Sequence, residues 1–273
     1  MYQEYWGFTR PAFSTVGDPG WYYLSPTHEE AQARLDFLVH QRRRLGILVG
    51  PSGVGKSMTL AHFAHRLRRR PAETVSLSIL GMDYGEFLWR LAQKLGASTR
   101  HAAHPATAWQ AVQDRLTVNH LQHLATVLLL DDADHADHDV LRAIQRLVQC
   151  EAGPQSQLTV VLSVSQGRVP LLGSRLLELA ELKIELELWD LWQTTAFLQW
   201  SLEQAGRRGP VFNAAALQRI HELAEGQPRR VVQLAELALL AGAAQKVERI
   251  DDSAVSATAE QLAVAAAGLD NWG

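Results

Sequence analysis

Short apolar runs alternate with segments of helical periodicity over the first two thirds of the chain. Five runs have the length and the β-branched composition of strands, at residues 45–50, 74–80, 126–132, 158–165 and 182–188. The first four are almost continuously apolar, which is typical of parallel strands that helices cover on both faces. The last run, LKIELEL, alternates and suits a sheet edge. The pattern predicts an α/β fold with a five-stranded parallel sheet.

The strand signal ends after Leu191. Amphipathic helical patterns follow at residues 191–206, 213–226, 228–242 and 251–267, with glycines where helix C-caps are expected. We therefore predict two domains. The first is an α/β domain over residues 1–190, in which 1–44 form an N-terminal segment, and the second is a helical lid over residues 191–273.

Composition narrows the function classes only slightly. The 273 residues are 47% apolar with a formal charge of −3, which indicates a globular chain without overall attraction to nucleic acid or anionic membranes. The lone cysteine, Cys150, excludes an internal disulfide, and its apolar helical context predicts a buried thiol. The N-terminus lacks the pattern of a signal peptide, and no apolar run is long enough to span a membrane, so we expect a cytoplasmic protein.

The segment GPSGVGKS directly follows the first predicted strand and opens the next helical pattern. It matches the phosphate-binding (Walker A) pattern in the strand–loop–helix context that this pattern requires. Its glycines allow backbone N–H groups to surround phosphates, and the helix N-terminus adds positive potential. We expect Lys56 to contact the β- and γ-phosphates and Ser57 to bind Mg²⁺. The predicted nucleotide-binding residues of this loop are Gly50, Pro51, Ser52, Gly53, Val54, Gly55, Lys56, Ser57 and Met58.

A second motif, TVLLLDDAD, ends the third predicted strand. Its Asp131 is predicted to hold Mg²⁺ opposite Ser57, as the Walker B aspartate does. Asp132 is predicted to polarise the attacking water, at a position where glutamate is more common. Because its carboxylate lies one methylene further back, and this geometry is sensitive to about 1 Å, we expect slow hydrolysis. The alternative for Asp132 and Asp134 is that they cap the next helix.

Two further polar groups are candidates for catalysis. On the fourth strand, which we expect between the two Walker strands, Ser163 and Ser165 share one side. We favour Ser165 for orienting the attacking water because it is nearer the C-terminal end, and an ordinary strand serine is the alternative. In GQPRR, residues 226–230, Arg229 is predicted to reach the γ-phosphate from the lid, against the alternative of a solvated helix face.

Other residue clusters have simpler explanations. The arginines at 42–44 and 66–70 are either solvated ends of elements or contacts to nucleic acid. Three histidine pairs lack a cysteine or acidic partner, so we do not predict a zinc site: His101/His104, His120/His123 and His135/His138. Trp89, Trp192 and Trp200 occupy apolar helical positions and are predicted to be core residues.

With these residues placed, the chain resembles the AAA+ ATPases of the general secretion pathway protein A (ExeA-like) family. The most specific part is the N-terminal pattern Trp6-Gly7-Phe8, Pro11-Ala12-Phe13, Asp18-Pro19, Tyr23, Ser25, His28 and Glu30-Ala31. The resemblance continues through both Walker motifs to the lid motif GQPRR and covers residues 1–245. It implies that segment 1–44 closes around the base, with the adenine pocket formed by Phe8, Pro11, Phe13 and Tyr23.

The chain departs from the family pattern at three points. Asp132 replaces the usual glutamate. The arginine that the family often carries before the fifth strand, as a finger for the neighbouring subunit, is not evident, and Arg175 or Lys183 are the candidates to replace it. Longer family members continue into a transmembrane helix and a peptidoglycan-binding domain, whereas this sequence stops at Gly273, so we expect a truncated form without them.

Three interpretations follow from these residues. The first is an ATP- and Mg²⁺-dependent ATPase that forms a homo-oligomeric ring or filament and acts as a motor or switch on a protein partner. The second is a DNA-associated regulator, because the transposition ATPases of the Mu B type share this architecture. The third is a switch that holds ATP with negligible hydrolysis. A small-molecule kinase would need an acceptor motif, and none is visible.

Overall fold

The computed structural model describes residues 2–13, 22–97, 104–150, 157–207 and 209–269, with only the backbone described beyond residue 261. The chain divides into two compact units. The α/β unit consists of Pro26–Glu187. The helical unit consists of Met1–Ser25 together with Leu188–Gly273.

One parallel sheet forms the centre of the α/β unit. Its strands are β1 (Leu45–Gly50), β2 (Ala72–Ser78), β3 (Ala125–Asp131), β4 (Leu158–Ser165) and β5 (Leu182–Glu185), in the order β2-β3-β4-β1-β5. The predicted fold class and the edge position of the fifth strand are confirmed. The predicted bounds shift by two residues at β2, and β5 ends three residues before its predicted end.

The helices of both units were placed with similar accuracy. They are α1 (Tyr2–Trp6), α2 (Pro26–His40), α3 (Lys56–Leu67), α4 (Tyr84–Lys94), α5 (Pro105–Leu121), α6 (His138–Cys150), α7 (Ser174–Leu179), α8 (Leu191–Gln204), α9 (Ala214–Ala224), α10 (Pro228–Gln245) and α11 (Asp252–Leu269). The prediction omits α1, α2, α5 and α7. In α5 the buried apolar positions are few and spread among polar residues, so the sequence signal is weak.

Both faces of the central strands β1, β3 and β4 are buried, as their apolar sequences predict, whereas the edge strands β2 and β5 also carry exposed residues. Alternate residues of β1 separate to the two sides: Ile47 and Val49 pack with α4, α5 and α6, and Leu48 packs with α2 and α3. The packing of α2 is close at Gly46, where an added Cβ would lie 2.3 Å from Leu38 Cδ1. This contact fixes α2 against β1, directly before the phosphate-binding loop.

The helical unit includes Met1–Ser25, whereas the prediction places the whole N-terminal segment 1–44 in the α/β domain. The indole nitrogen of Trp6 donates to the Leu239 carbonyl at 2.9 Å, and the Thr9 amide donates to the Ala205 carbonyl at 2.8 Å. Trp6, Phe8 and Phe13 are buried in the same core as helices α8–α10. These N-terminal residues belong with the lid helices because burial of their aromatic side chains in this core removes apolar surface from water.

Three side chains that were predicted to be buried are exposed. Cys150 is the last residue of α6 and lies outside the buried stripe of that helix. Trp192 is 65% exposed and Trp89 is 40% exposed. Trp192, the second residue of α8, lies off the helix face that carries the buried residues Thr194, Phe197 and Leu198. Its side chain is therefore directed away from the core. None of the described helices is long and apolar enough to cross a membrane.

Candidate nucleotide-binding site

The loop between β1 and α3 has a backbone that only glycine allows at several points. Gly53 and Gly55 have φ angles of 73° and 106°, in the left-handed region. At Gly50 an added Cβ would lie 2.8 Å from the Leu186 carbonyl oxygen. The loop leads directly into the N-terminus of α3, whose first N–H groups have no partner within the helix. This arrangement suits a bound anion.

Lys56 is held by the loop that precedes it. Its Nζ donates to the carbonyl oxygens of Gly50 at 2.9 Å and Pro51 at 3.0 Å. The ammonium group therefore lies over the loop rather than in solvent, where it adds to the positive potential of the helix N-terminus. The next residue, Ser57, is exposed in the first turn of α3.

A buried histidine supports the loop from behind. His28 of α2 is 3% exposed, and its Nε2 lies 3.1 Å from the Val54 carbonyl oxygen. Burial lowers the pKa of His28 to about 4, against the hydrogen bond to Val54, which raises it. The imidazole is therefore neutral at pH 7, with Nε2–H donating to Val54. His28 belongs to the N-terminal family pattern, but no local signal in the sequence indicates this role.

The same helix follows α3 beyond the loop. Gln32 Nε2 donates to the Thr59 carbonyl at 2.9 Å, and Thr59 Oγ1 donates to the Gly55 carbonyl at 3.0 Å. Together with His28, these bonds connect α2 to the first two turns of α3. The conformation of the phosphate-binding loop is thus set partly by a helix that precedes β1.

Asp131 ends β3 at the same edge of the sheet. β4 pairs with both β1 and β3, so the predicted position of the fourth strand between the Walker strands is confirmed. The hydroxyl of Ser163, on β4, is buried and donates to Asp131 Oδ1. The Asp132 amide also donates to this carboxylate oxygen, at 3.1 Å. Asp131 is therefore oriented by two neighbours.

Ser163, rather than Ser165, contacts the acidic motif. Register explains the difference, because Leu130 pairs with Leu162 and Gly50 pairs with Ser165. Ser163 thus lies level with Asp131, whereas Ser165 lies beside the start of the phosphate-binding loop. The role of Ser165 in orienting water stays a prediction.

Asp132 adopts a left-handed backbone with φ 58°, which is uncommon for a residue other than glycine. Its Oδ2 accepts a hydrogen bond from Ser78 Oγ at 2.9 Å, at the end of β2. Its side chain makes no capping bond to the 3₁₀ turn at 133–135. Asp134 is buried there, with Oδ2 3.4 Å from Arg168 Nε.

Oxygen ligands suited to Mg²⁺ are available at this edge. Mg²⁺ prefers hard oxygen donors and keeps several waters, so a hydroxyl and a carboxylate are sufficient protein ligands when phosphates supply others. Ser57 and Asp131 have this chemistry. The described residues contain no group of three His, Cys, Asp or Glu side chains placed to hold a metal by themselves. His101, of the histidine pairs, lies outside the described residues.

The remaining predicted site residues of the lid and the N-terminal segment lie in the helical unit. Arg229 is exposed in the first turn of α10. Gly226, before it, has φ +68°, and an added Cβ would lie 2.1 Å from the Trp189 carbonyl oxygen, which explains the glycine of GQPRR. The contact of Arg229 with phosphate stays a prediction.

The predicted adenine-pocket residues contribute mainly to an aromatic core. Phe8 and Phe13 are buried, and Tyr23 is half-buried with its ring centroid 5.6 Å from that of Phe197, while Pro11 is exposed. Their contact with adenine stays a prediction. Asp18 and Pro19 of the family pattern lie outside the described residues.

The two candidate finger residues are exposed on the α/β unit. Arg175 in α7 pairs with Glu178 at 2.9 Å, and Lys183 on β5 pairs with Glu185. Each is engaged with a neighbouring acid on its own element, and neither pairing identifies one as the finger.

Comparison with protein families and relatives agrees with this geometry. Residues 39–172 match the family model described as an AAA domain. The chain is 26% identical over 268 residues to general secretion pathway protein A of Aeromonas hydrophila. The match covers 96% of this chain and 48% of that protein. The chain thus spans about half the length of this relative.

Solved structures share the fold at low identity. The Aeropyrum pernix ORC1 protein in complex with DNA is 17% identical with a TM-score of 0.69, over 89% of this chain and 67% of that chain. Drosophila ORC bound to DNA is 17% identical with a TM-score of 0.71, over 94% and 64%. The Thermotoga maritima RuvB Holliday junction branch migration motor is 16% identical with a TM-score of 0.60, over 86% and 69%. Residues 39–172 therefore belong to the AAA domain family, and the chain as a whole is similar in sequence to general secretion pathway protein A and in fold to these solved structures.

Proposed function

We propose that this protein binds ATP with Mg²⁺, hydrolyses it slowly and works in the cytoplasm as a homo-oligomeric motor or switch on a macromolecular partner. The observation that carries the proposal is the shared sheet edge. At this edge the glycine loop with Lys56 follows β1, and Asp131 is the last residue of β3. Ser163, on the strand β4 between β1 and β3, donates a hydrogen bond to the Asp131 carboxylate.

Each residue of this edge has a distinct task. The loop N–H groups and Lys56 hold the phosphates, with Lys56 exchanging its carbonyl partners for phosphate oxygens. Ser57 and Asp131 hold Mg²⁺, which supplies charge neutralisation on the phosphates when bound. Asp132 accepts a hydrogen bond from the attacking water, and Ser165 and Arg229 are proposed to help orient the water and the γ-phosphate.

The proposal is tested by steady-state phosphate release with Mg²⁺ across a range of protein concentrations. We expect slow turnover that increases per subunit with concentration, because a neighbouring subunit completes the site. Asp132→Asn should retain ATP binding and lose turnover. Wild-type turnover in Asp132→Asn would contradict the assigned role of Asp132, and absence of ATP binding in the wild type would overturn the proposal.

A second candidate function is a switch that holds ATP without significant turnover. It is favoured by the hydrogen bond between Ser78 and Asp132, which directs the carboxylate towards β2. If this bond restrains Asp132, Ser78→Ala should increase turnover several-fold at unchanged ATP affinity. If turnover stays negligible in Ser78→Ala and in the wild type at every protein concentration, the switch is the better description.

A further inference from the structure

The edge of the α/β unit opposite the phosphate-binding loop carries many arginines. They lie in the last turn of α3 and in the two segments that join α2 to β1 and α3 to β2. We name this surface the arginine face, and it consists of Arg42, Arg43, Arg44, Arg66, Arg68, Arg69 and Arg70. We propose that the arginine face binds the phosphate backbone of duplex DNA. This inference rests on the proposed function, and it identifies duplex DNA as the macromolecular partner of that function.

The two arginine segments form one surface because α2 and α3 end side by side. Asp36, in the second-last turn of α2, pairs with Arg66 at 2.6 Å and with Arg70 at 3.0 Å. The turn after α2 folds back onto the same region, since the Arg43 amide donates to the Leu38 carbonyl at 2.8 Å. Both segments therefore lie around the last turns of α2.

The face is strongly basic although the chain as a whole has a charge of −3. Its acidic neighbours are Asp36 and Glu181. Burial raises the pKa of Glu181, but hydrogen bonds from the Arg44 backbone and from the Arg43 and Arg44 side chains outweigh burial and hold the pKa below its usual value. Nearby Glu73 is already paired with Arg115 at 3.0 Å. The seven arginines thus outnumber the carboxylates of Asp36 and Glu181 on this face.

The arginines with the greatest freedom project from the ends of the two helices. Arg42, Arg68 and Arg69 are exposed, and none of them forms an ion pair with another described residue. The carbonyl ends of helices repel phosphate, so an anion is bound here only by side chains that extend beyond the backbone. Guanidinium groups match phosphate oxygens in two-bond geometry, and a row of them suits a repeating phosphate backbone.

An anionic membrane would need apolar area as well as charge. The exposed large apolar side chain nearest to this face along α2 is Phe37, which is 48% exposed. A single ring provides little of the area that interfacial binding requires. The chemistry of the face therefore favours DNA phosphates over a lipid surface.

Arg42 offers a sharp test because its backbone conformation favours glycine over arginine. It has φ 54° at the position after α2 where glycine is most common. Lys246 has φ 55° at the equivalent position after α10, in the helical unit. Replacing either residue with glycine relieves the same backbone strain, but only Arg42 belongs to the arginine face.

The experiment measures binding of a labelled 30-base-pair duplex by fluorescence anisotropy, without nucleotide and over a series of salt concentrations. Arg42→Gly should raise the thermal midpoint yet weaken DNA binding about threefold or more, since one phosphate contact is lost. Lys246→Gly should raise the midpoint at unchanged DNA affinity. The triple variant Arg42→Glu/Arg68→Glu/Arg69→Glu should lower the salt slope by about three. The control variant Arg90→Glu/Arg142→Glu changes exposed arginines elsewhere on the α/β unit, so its DNA affinity should equal that of the wild type.

Two results would overturn the inference. One is equal DNA affinity of wild type, Arg42→Gly and the triple variant. The other is binding of the wild type to phosphatidylglycerol vesicles, or to single-stranded RNA, without binding to duplex DNA. The measurement uses no nucleotide, so DNA binding and ATP turnover are tested separately. DNA binding can be absent in a wild type that hydrolyses ATP, and it can be present in Lys56→Ala, where turnover is expected to be lost.

Discussion

Helices α2 and α3 lie side by side, and their two ends differ in how they can treat an anion. At their starts, His28 supports Val54 beside the glycine loop. At their ends, Asp36 connects to Arg66 and Arg70. The start of a helix presents N–H groups, so phosphate is bound there by backbone and one lysine. The end presents carbonyls, so only projecting side chains can attract phosphate.

Because of this difference, we expect the two ends to differ in how they tolerate substitution. The loop at the start depends on backbone conformation and on a buried neutral ring, both of which are set by packing. The arginine face depends on exposed side chains that contribute little to folding. We therefore expect large effects on activity and stability at the first end, and small effects on stability at the second.

The largest effect is expected at Lys56. Lys56→Ala removes the cation that neutralises charge on the phosphates, so turnover should fall by about 10²–10³-fold. The loop carbonyls of Gly50 and Pro51 also lose their donor. Steady-state phosphate release, with ATP affinity measured separately, checks this prediction. A loss of less than tenfold would show that the backbone of the loop carries most of the stabilisation.

A strong pH effect is expected from His28. Its pKa is about 4 in the folded protein, below the ordinary value of 6.5. Between these values the unfolded chain binds a proton that the folded chain does not, so stability decreases as pH falls from 6.5 to 4. The wild type should lose up to about 3 kcal/mol more than His28→Gln over this range.

Urea unfolding at a series of pH values measures this difference. His28→Gln retains a side-chain donor for the Val54 carbonyl but does not titrate. Its unfolding free energy should therefore lack the component that depends on His28. Parallel curves for the two proteins between pH 6.5 and 4 would contradict a buried neutral imidazole.

The next effect is expected at Gly55. Gly55→Ala must adopt φ 106° and places a Cβ 2.8 Å from His28 Nε2, so we expect a loss of about 1–3 kcal/mol in stability together with weaker ATP binding. In the double variant Gly55→Ala/His28→Ala the steric part should be recovered while the backbone strain remains. A double-mutant cycle of unfolding free energies separates the two causes. Strict additivity would show that the ring does not restrict residue 55.

The smallest effect is expected at the opposite end of α3. Arg68→Ala removes an exposed side chain without an ion pair to a described residue, so the unfolding free energy should change by less than about 0.5 kcal/mol. Urea unfolding measures it. A loss as large as that of Gly55→Ala would mean that the arginines serve the fold, and the contrast between the two ends would then disappear.

The sequence by itself determined the elements whose signals are local. The five strands, the loop at 50–57, the position of Asp131 and the lid helices all follow from periodicity, glycine placement and short motifs. Such patterns are readable because the neighbours along the chain set the backbone conformation. The edge position of β5 was also predictable, since its alternation reports a strand with one exposed side.

Only the tertiary structure decided the features that depend on contacts between distant residues. The choice of Ser163 over Ser165 as the partner of Asp131 depends on strand register, which periodicity does not give. His28 reaches Val54 only because α2 packs along α3. The indole of Trp6 bonds to the Leu239 carbonyl, and the residues up to Ser25 belong to the helical unit rather than to the α/β unit. These contacts form because apolar side chains far apart in sequence share one core, and burial in that core is a property of the folded chain as a whole.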